Sequence, residues 1–105
     1  MRIPNSQVLA NPTRLAASGE VSAAAGRVLK IVLEGGTTAT SVKFKDATSD
    51  TGTELIGLAA PHTDNDASAK SSVVLDMIHE GGVVFGTAIY AVLAGTGAIC
   101  YVWYD

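Results

Sequence analysis

Two histidines and one cysteine are the side chains of this chain that could most readily take part in chemistry. Histidine is the residue type whose ordinary pKa lies near neutrality, so either His62 or His79 could serve as a general acid or base. Glu80 follows His79, but a general base needs a partner oriented within hydrogen-bond reach, which adjacency in sequence does not supply. Cys100 alternates within an apolar run, a pattern typical of a buried, inert thiol. The sequence therefore predicts no catalytic residues and no enzyme.

The loop 62–66, HTDND, holds the densest group of possible metal ligands. Asp64, Asn65 and Asp66 could each give an oxygen to a calcium site, which takes about six to eight. The loop lacks the spaced carboxylates, central glycine and terminal glutamate of an EF-hand, and Asx-rich loops commonly form turns that satisfy their own backbone. A single cysteine also rules out a Cys-x-x-Cys zinc pair and an intrachain disulfide. We predict no metal site and no cofactor.

The charge and hydropathy of the chain exclude two further classes of function. The net charge is −3, the isoelectric point is about 5.2, and the seven basic residues are scattered, so we predict no nucleic-acid surface. No run reaches the roughly 18 apolar residues of a membrane helix, and the N-terminus lacks the apolar run of a signal peptide. We expect a soluble protein that is made inside the cell and does not bind membranes.

Short runs of alternating apolar and polar residues cover most of the chain. In RVLKIVLEGG, Leu29, Ile31 and Leu33 alternate with polar or outward positions, as in a half-buried strand. The run KSSVVLDMIHE also admits a helix, but its paired valines and the glycines that follow favour a strand. About seven short strands, separated by Gly-rich turns, predict an all-β fold: a single antiparallel β-sandwich or barrel-like domain over residues 16–105.

Residues 1–15 have a different character from the rest of the chain. They contain Pro4 and Pro12 and show no periodicity, so we predict an extended N-terminal arm. A flexible terminus and an arm that becomes ordered on a partner both fit this composition. In the second case, Arg2 and Arg14 are candidate contact residues.

The last residues, AIYAVLAGTGAICYVWYD, predict a hairpin of two strands around a Gly-Thr-Gly turn, with apolar residues on both faces. On the last strand Ile99, Tyr101 and Trp103 share one face, while Cys100, Val102 and Tyr104 share the other. On the preceding run, VVFGTAIYAVLAG, alternation places two sets on opposite faces: Val83, Phe85, Ile89 and Leu93, against Val84, Ala88, Tyr90 and Val92.

One of these two faces belongs to the core, and the other needs a different cover. Contiguous apolar patches of more than a few hundred Å² usually mark interaction sites, and tyrosine and tryptophan contribute strongly to interfaces. A partner or oligomer interface is one reading, and cover by the N-terminal segment is the other. The candidate interface residues are Tyr90, Val92, Tyr101, Trp103, Tyr104, Arg2 and Arg14.

Three segments together resemble small virion proteins of tailed bacteriophages, a group that includes capsid decoration (cement) proteins. They are LAASGEVSAAAGRVLKIVLEGG, TATSVKFKDATSDTGTEL and GGVVFGTAIYAVLAGTGAICYVWYD. The resemblance implies a β-sandwich or barrel that performs no chemistry and stabilises the shell by binding the major capsid protein. It also implies a homo-oligomer, with a trimer favoured, located on the capsid surface after synthesis in the host cytoplasm. Alternatives are a head–tail, tail or receptor-binding component, or a carbohydrate-binding β-sandwich.

Overall fold

The structure, a computed structural model, describes residues 12–60 and 72–105. Within these ranges the chain forms strands and turns and no helix, so no helix there could span a membrane. The nine described strands are β1 (Thr13–Leu15), β2 (Gly19–Ser22), β3 (Gly26–Glu34), β4 (Thr40–Asp46), β5 (Thr53–Ala60), β6 (Ser72–Asp76), β7 (Val83–Phe85), β8 (Ile89–Ala94) and β9 (Ile99–Tyr104).

The strands form two antiparallel sheets. The front sheet has the order β1-β9-β3-β6, and the back sheet has the order β2-β8-β4-β5. Strand β7 also belongs to the front sheet: it pairs with the first residues of β3, on the same edge where β6 pairs with the later ones. Only two connections in the described part keep the chain in one sheet, the β4–β5 hairpin and the β6–β7 turn. With β7 set aside, this order is the connectivity of an eight-stranded jelly roll. The predicted all-β sandwich is confirmed.

The core lies between the two sheets and is built by side-chain alternation. In β4, Val42 and Phe44 are buried while Lys43 between them is exposed, as the sequence predicts. Val73 and Leu75 of β6 are partly buried against the same core, which confirms the strand reading of this run. The largest fully buried side chains are Phe44, Phe85, Ile31, Leu33, Ile89, Val28, Val42, Val102 and Cys100.

The predicted C-terminal hairpin is wrong, because its two strands belong to different sheets. β8 pairs with β2 and β4, whereas β9 pairs with β1 and β3. Gly95 and Gly97 have φ angles of 115° and 78°, which only glycine adopts readily, and they take the chain across the sandwich. The turn is fixed by the β3–β4 connection, where Thr37 N–H donates to Thr96 O (2.9 Å) and Thr96 N–H donates to Thr38 Oγ1 (2.8 Å).

The run VVFGTAIYAVLAG is likewise two strands rather than one. The carboxylate of Asp46 accepts hydrogen bonds from the N–H groups of Gly86 (3.1 Å), Thr87 (2.8 Å) and Ala88 (3.2 Å). These hydrogen bonds tie residues 86–88 to β4 of the back sheet. The chain thus leaves the front sheet after β7 and enters the back sheet at β8. Ala88 and Ile89, which simple alternation places on opposite faces, are both fully buried. With β1, this division accounts for nine strands in place of about seven.

Asp46→Asn should destabilise the fold and remove part of its acid sensitivity. The hydrogen bond from Thr87 N–H, followed by those from Ala88 and Gly86, lowers the pKa of Asp46 below its ordinary value of 3.8. Because the folded pKa is the lower one, this stabilisation is complete above about pH 4 and is lost as the pH falls through the folded pKa. An amide has one acceptor oxygen, so it cannot satisfy the same three donors.

Melting temperatures of the wild type and Asp46→Asn at pH 7, 5 and 3 would test this expectation. The difference between the two proteins should be largest at pH 7 and shrink at pH 3. Asp50→Asn, in the exposed turn after β4, is the matched control and should leave the melting temperature nearly unchanged. A constant difference across the three pH values would show that the Asp46 carboxylate does not stabilise the 86–88 segment.

The domain begins earlier than the sequence predicts. Thr13–Leu15, the last three residues of the predicted arm 1–15, form β1 and pair with β9, and Leu15 packs against the core. Local periodicity could not reveal this strand, because three residues are too few to show alternation. Residues 1–11, including Arg2, lie outside the described residues.

Candidate interaction surface

The outer surface of the front sheet carries a row of side chains that crosses four strands. Arg14 of β1 pairs with Tyr101 of β9, Tyr101 pairs with Val32 of β3, and Val32 pairs with Val74 of β6. Paired residues of neighbouring strands project from the same side of a sheet. The row is therefore apolar at its centre, with one cation at the β1 edge.

The next row brings an aromatic ring and two charges together. Trp103 of β9 pairs with Lys30 of β3, which pairs with Asp76 of β6. The Lys30 Nζ lies 5.2 Å from the centre of the Trp103 ring, within the range of a cation–π contact. The Lys30 side chain is thus directed across the sheet toward β9.

On the opposite side of the first row, Ile99 pairs with Glu34, which pairs with Ser72. At the other end of β3, Val84 of β7 pairs with Arg27 and is 67% exposed, while Val74 is 57% exposed. We call this surface the apolar face, and its apolar members are Val32, Val74, Val84, Ile99, Tyr101 and Trp103.

The outer surface of the back sheet is more polar. One row contains Glu20, Tyr90, Lys45 and Glu54, so the tyrosine lies between two charged residues. In the next row, Val92 pairs with Lys43, and Lys43 pairs with Gly57. Alternating charges around one aromatic and small residues are typical of a solvated face.

The predicted interface residues are divided between these two surfaces. Tyr101 and Trp103 lie on the apolar face, and Arg14 lies at its edge beside Tyr101. Tyr90 and Val92 lie on the back sheet, so the prediction that they share a hairpin face with β9 is wrong. Alternation correctly places Tyr90 and Val92 on one face of their own strand, but the predicted hairpin between β8 and β9 does not form.

Tyr104 follows the alternation of the core side of β9 and still keeps 39% of its surface exposed. It pairs with Val28 beside a bulge in β3. The next residue, Asp105, exchanges two backbone hydrogen bonds with Arg27 and binds its guanidinium through both carboxylate oxygens, at 3.1 and 2.8 Å. The end of β9 is thereby fastened to β3.

The side chains that could take part in chemistry lie apart from one another in the described part of the chain. Within residues 12–60 and 72–105, no three His, Cys, Asp or Glu residues form a metal-binding group. Cys100 is fully buried, and burial raises the pKa of its thiol to about 12, as expected of an inert thiol. His79 is exposed in the turn after β6. The loop His62–Asp66 lies outside the described residues.

Sequence reasoning missed the contribution of β6 and β7 to the apolar face. The signal for Val74 was available, because placing Val73 and Leu75 inward requires Val74 to point outward. Alternation separates Val84 from Phe85, but the pairing of its strand with β3 could not be derived from the sequence. Val32 alternates with Ile31 and Leu33, again with no neighbour predicted on either side. Pairing across strands, which local patterns do not specify, turns these separate positions into one surface.

Comparison with protein-family models, characterised proteins and solved structures gives no match to this chain. The fold and the surfaces described above are therefore the basis of the functional proposal.

Proposed function

We propose that this chain is a non-catalytic structural protein of a tailed-phage virion, which binds the outer surface of the capsid shell as a decoration protein. The observation that carries the proposal is the apolar face, a broad outward surface with large side chains on the front sheet. Such a surface is suited to association with protein. The major capsid protein is the proposed partner.

The architecture supports this proposal by analogy. Jelly rolls are common in viral capsid domains, although a fold on its own does not define a function. An oligomer whose copies contact several symmetry-related positions on a shell gains from avidity, so each contact can be modest. The sequence resemblance to small phage virion proteins supports the same role and implies three copies per assembly.

Jelly rolls also occur in lectins, but the position of Lys30 disfavours a sugar-binding role for the apolar face. A sugar would stack on an open aromatic ring, and the Lys30 ammonium lies over the ring of Trp103. The back sheet offers Tyr90 alone between charged neighbours. We therefore favour a protein partner.

Co-sedimentation with capsid shells tests the proposal. Shells assembled from the major capsid protein of the phage that encodes this chain should bind the purified protein at micromolar concentration, saturating at a fixed ratio of copies. A folded wild-type protein that stays in the supernatant would overturn the shell-binding role.

A second arm of the experiment concerns the predicted contact through the N-terminal segment. Deleting residues 1–11 leaves β1 in place, so the domain should remain folded while shell binding weakens. A deletion variant that bound the shell as well as the wild type would exclude this segment as the contact and leave the other surfaces to explain shell binding.

A further inference from the structure

The charges on β3 make the apolar face complementary to a second copy of itself. Lys30 and Glu34 lie two residues before and two residues after Val32, and all three side chains point outward from the front sheet. We propose that two copies of this chain pair face to face about a two-fold axis that passes over Val32 and Tyr101, at right angles to the strands.

A two-fold contact requires that one patch carry both halves of every interaction. Rotation about this axis places Lys30 opposite Glu34 of the partner subunit, and Glu34 opposite the partner subunit's Lys30. The same rotation places Trp103 opposite Ile99 of the partner subunit and brings the central Val32 and Tyr101 against their own copies. Arg14 lies at the β1 edge of the same row and also faces its own copy, but it is exposed at the rim, where solvent screens the like charges. The pairing thus has an apolar centre and two symmetry-related ion pairs at its margins.

Lys30 and Glu34 are available for this contact. Within residues 12–60 and 72–105, the structure contains an ion pair between Arg27 and Asp105. Neither Lys30 nor Glu34 forms an ion pair with a residue of these ranges. Four residues along a strand separate their Cα atoms by about 13 Å, too far for the two to pair within one chain. A second copy provides each with a partner of opposite charge. Lys30 stays near the Trp103 ring in this arrangement, because both residues belong to the same row of the face.

The size of the face indicates a reversible dimer. Three rows across four strands cover about 20 Å in each direction, given strand spacings of about 4.8 Å and side-chain repeats of about 6.8 Å. This is about 400 Å² per copy, smaller than the roughly 800 Å² per partner of a standard interface, so the dimer should be weak and dissociate on dilution. Two-fold pairing gives two copies per assembly, whereas the sequence resemblance implies three. The measured number of copies therefore distinguishes the two expectations.

Charge reversal separates this pairing from other modes of association. Measured by sedimentation equilibrium on the full chain, the wild type should form a dimer that dissociates on dilution. Lys30→Glu and Glu34→Lys should each raise the dissociation constant by about a hundredfold or more, because like charges then face each other twice. An equimolar mixture of these two variants should restore dimers, since each copy then meets the opposite charge. Lys43→Glu, on the exposed back sheet, is the matched control and should leave the dimer intact.

Circular dichroism on each variant confirms that it is folded, and the mixture is informative even if a single variant is less stable. A wild type that is monomeric at high concentration, or one that is a stable trimer, would overturn the two-fold pairing. Failure of the mixed variants to associate would also overturn it. The pairing uses the same face as the proposed shell contact, so the dimer must dissociate before that face can bind the shell. No shell is present in this measurement, so a wild type that fails to dimerise would overturn the pairing and leave the shell-binding proposal to the co-sedimentation result.

Discussion

Replacing Gly36 by alanine should lower the free energy of unfolding by about 3 kcal/mol or more, the upper range for overpacked sites. An alanine Cβ at this position would overlap the carbonyl oxygen of Thr96 and lie 3.0 Å from the backbone nitrogen of Ala98. Both neighbours are backbone atoms, so no side-chain rotation can relieve the clash. The substitution would push the β3–β4 and β8–β9 connections apart where Thr37 and Thr96 are hydrogen bonded.

Urea unfolding of the wild type and Gly36→Ala would measure this loss. Gly19→Ala is the matched control, because a Cβ at Gly19 in β2 meets no atom within 4 Å. The control should lie within about 1 kcal/mol of the wild type, on either side. Equal stabilities for the two variants would mean that the connections are not packed as closely as the structure places them.

Phe85→Ala should cost about 3–5 kcal/mol, the range for removing a fully buried aromatic side chain. Phe85 is 0% exposed and is supplied to the core by β7, a strand of three residues. Losing its ring should also loosen the adjoining 86–88 segment, which Asp46 holds through hydrogen bonds. Chemical denaturation would give the stability, and hydrogen exchange at Thr87 would report the local loosening.

Val84→Ala provides a control one residue away on the same strand. Val84 points outward and is 67% exposed, so its truncation should change stability by about 0.5 kcal/mol or less. If Val84→Ala proved as damaging as Phe85→Ala, the orientation of β7 would be reversed. Phe85→Leu should fall between the wild type and Phe85→Ala, since it keeps part of the buried volume.

The sequence predicts those strands that have one polar face. It does not predict how strands pair when the pairing depends on residues far apart in the chain. Lys43 between Val42 and Phe44 identifies the inner side of β4 without further information, and the structure confirms it. A Gly-Thr-Gly turn, by contrast, is compatible with a hairpin and with a crossing between sheets. The hydrogen bonds of Thr96 with Thr37 and Thr38 distinguish the two, and they link residues about sixty positions apart.

Some residues of the apolar face could be identified from the sequence, and others only from the order of the strands. Tyr101 and Trp103 could be chosen from the sequence because aromatic residues at outward positions of a strand are conspicuous. Their neighbours Val32 and Val74 became part of the surface only through the order β9-β3-β6. Lys30 and Glu34 look like ordinary outward charges along one strand until the apolar row between them is known.

The position of β9 between β1 and β3 has a consequence for how the chain folds. The front sheet cannot close until residues 99–104 are present, because β1 and β3 have no ladder with each other and meet only through β9. Folding therefore cannot proceed strand by strand from the N-terminus during synthesis. Sheets joined mainly by distant pairings fold on the millisecond-to-second scale. The interval before β9 pairs is the stage at which β3 exposes an open edge and is most prone to aggregate.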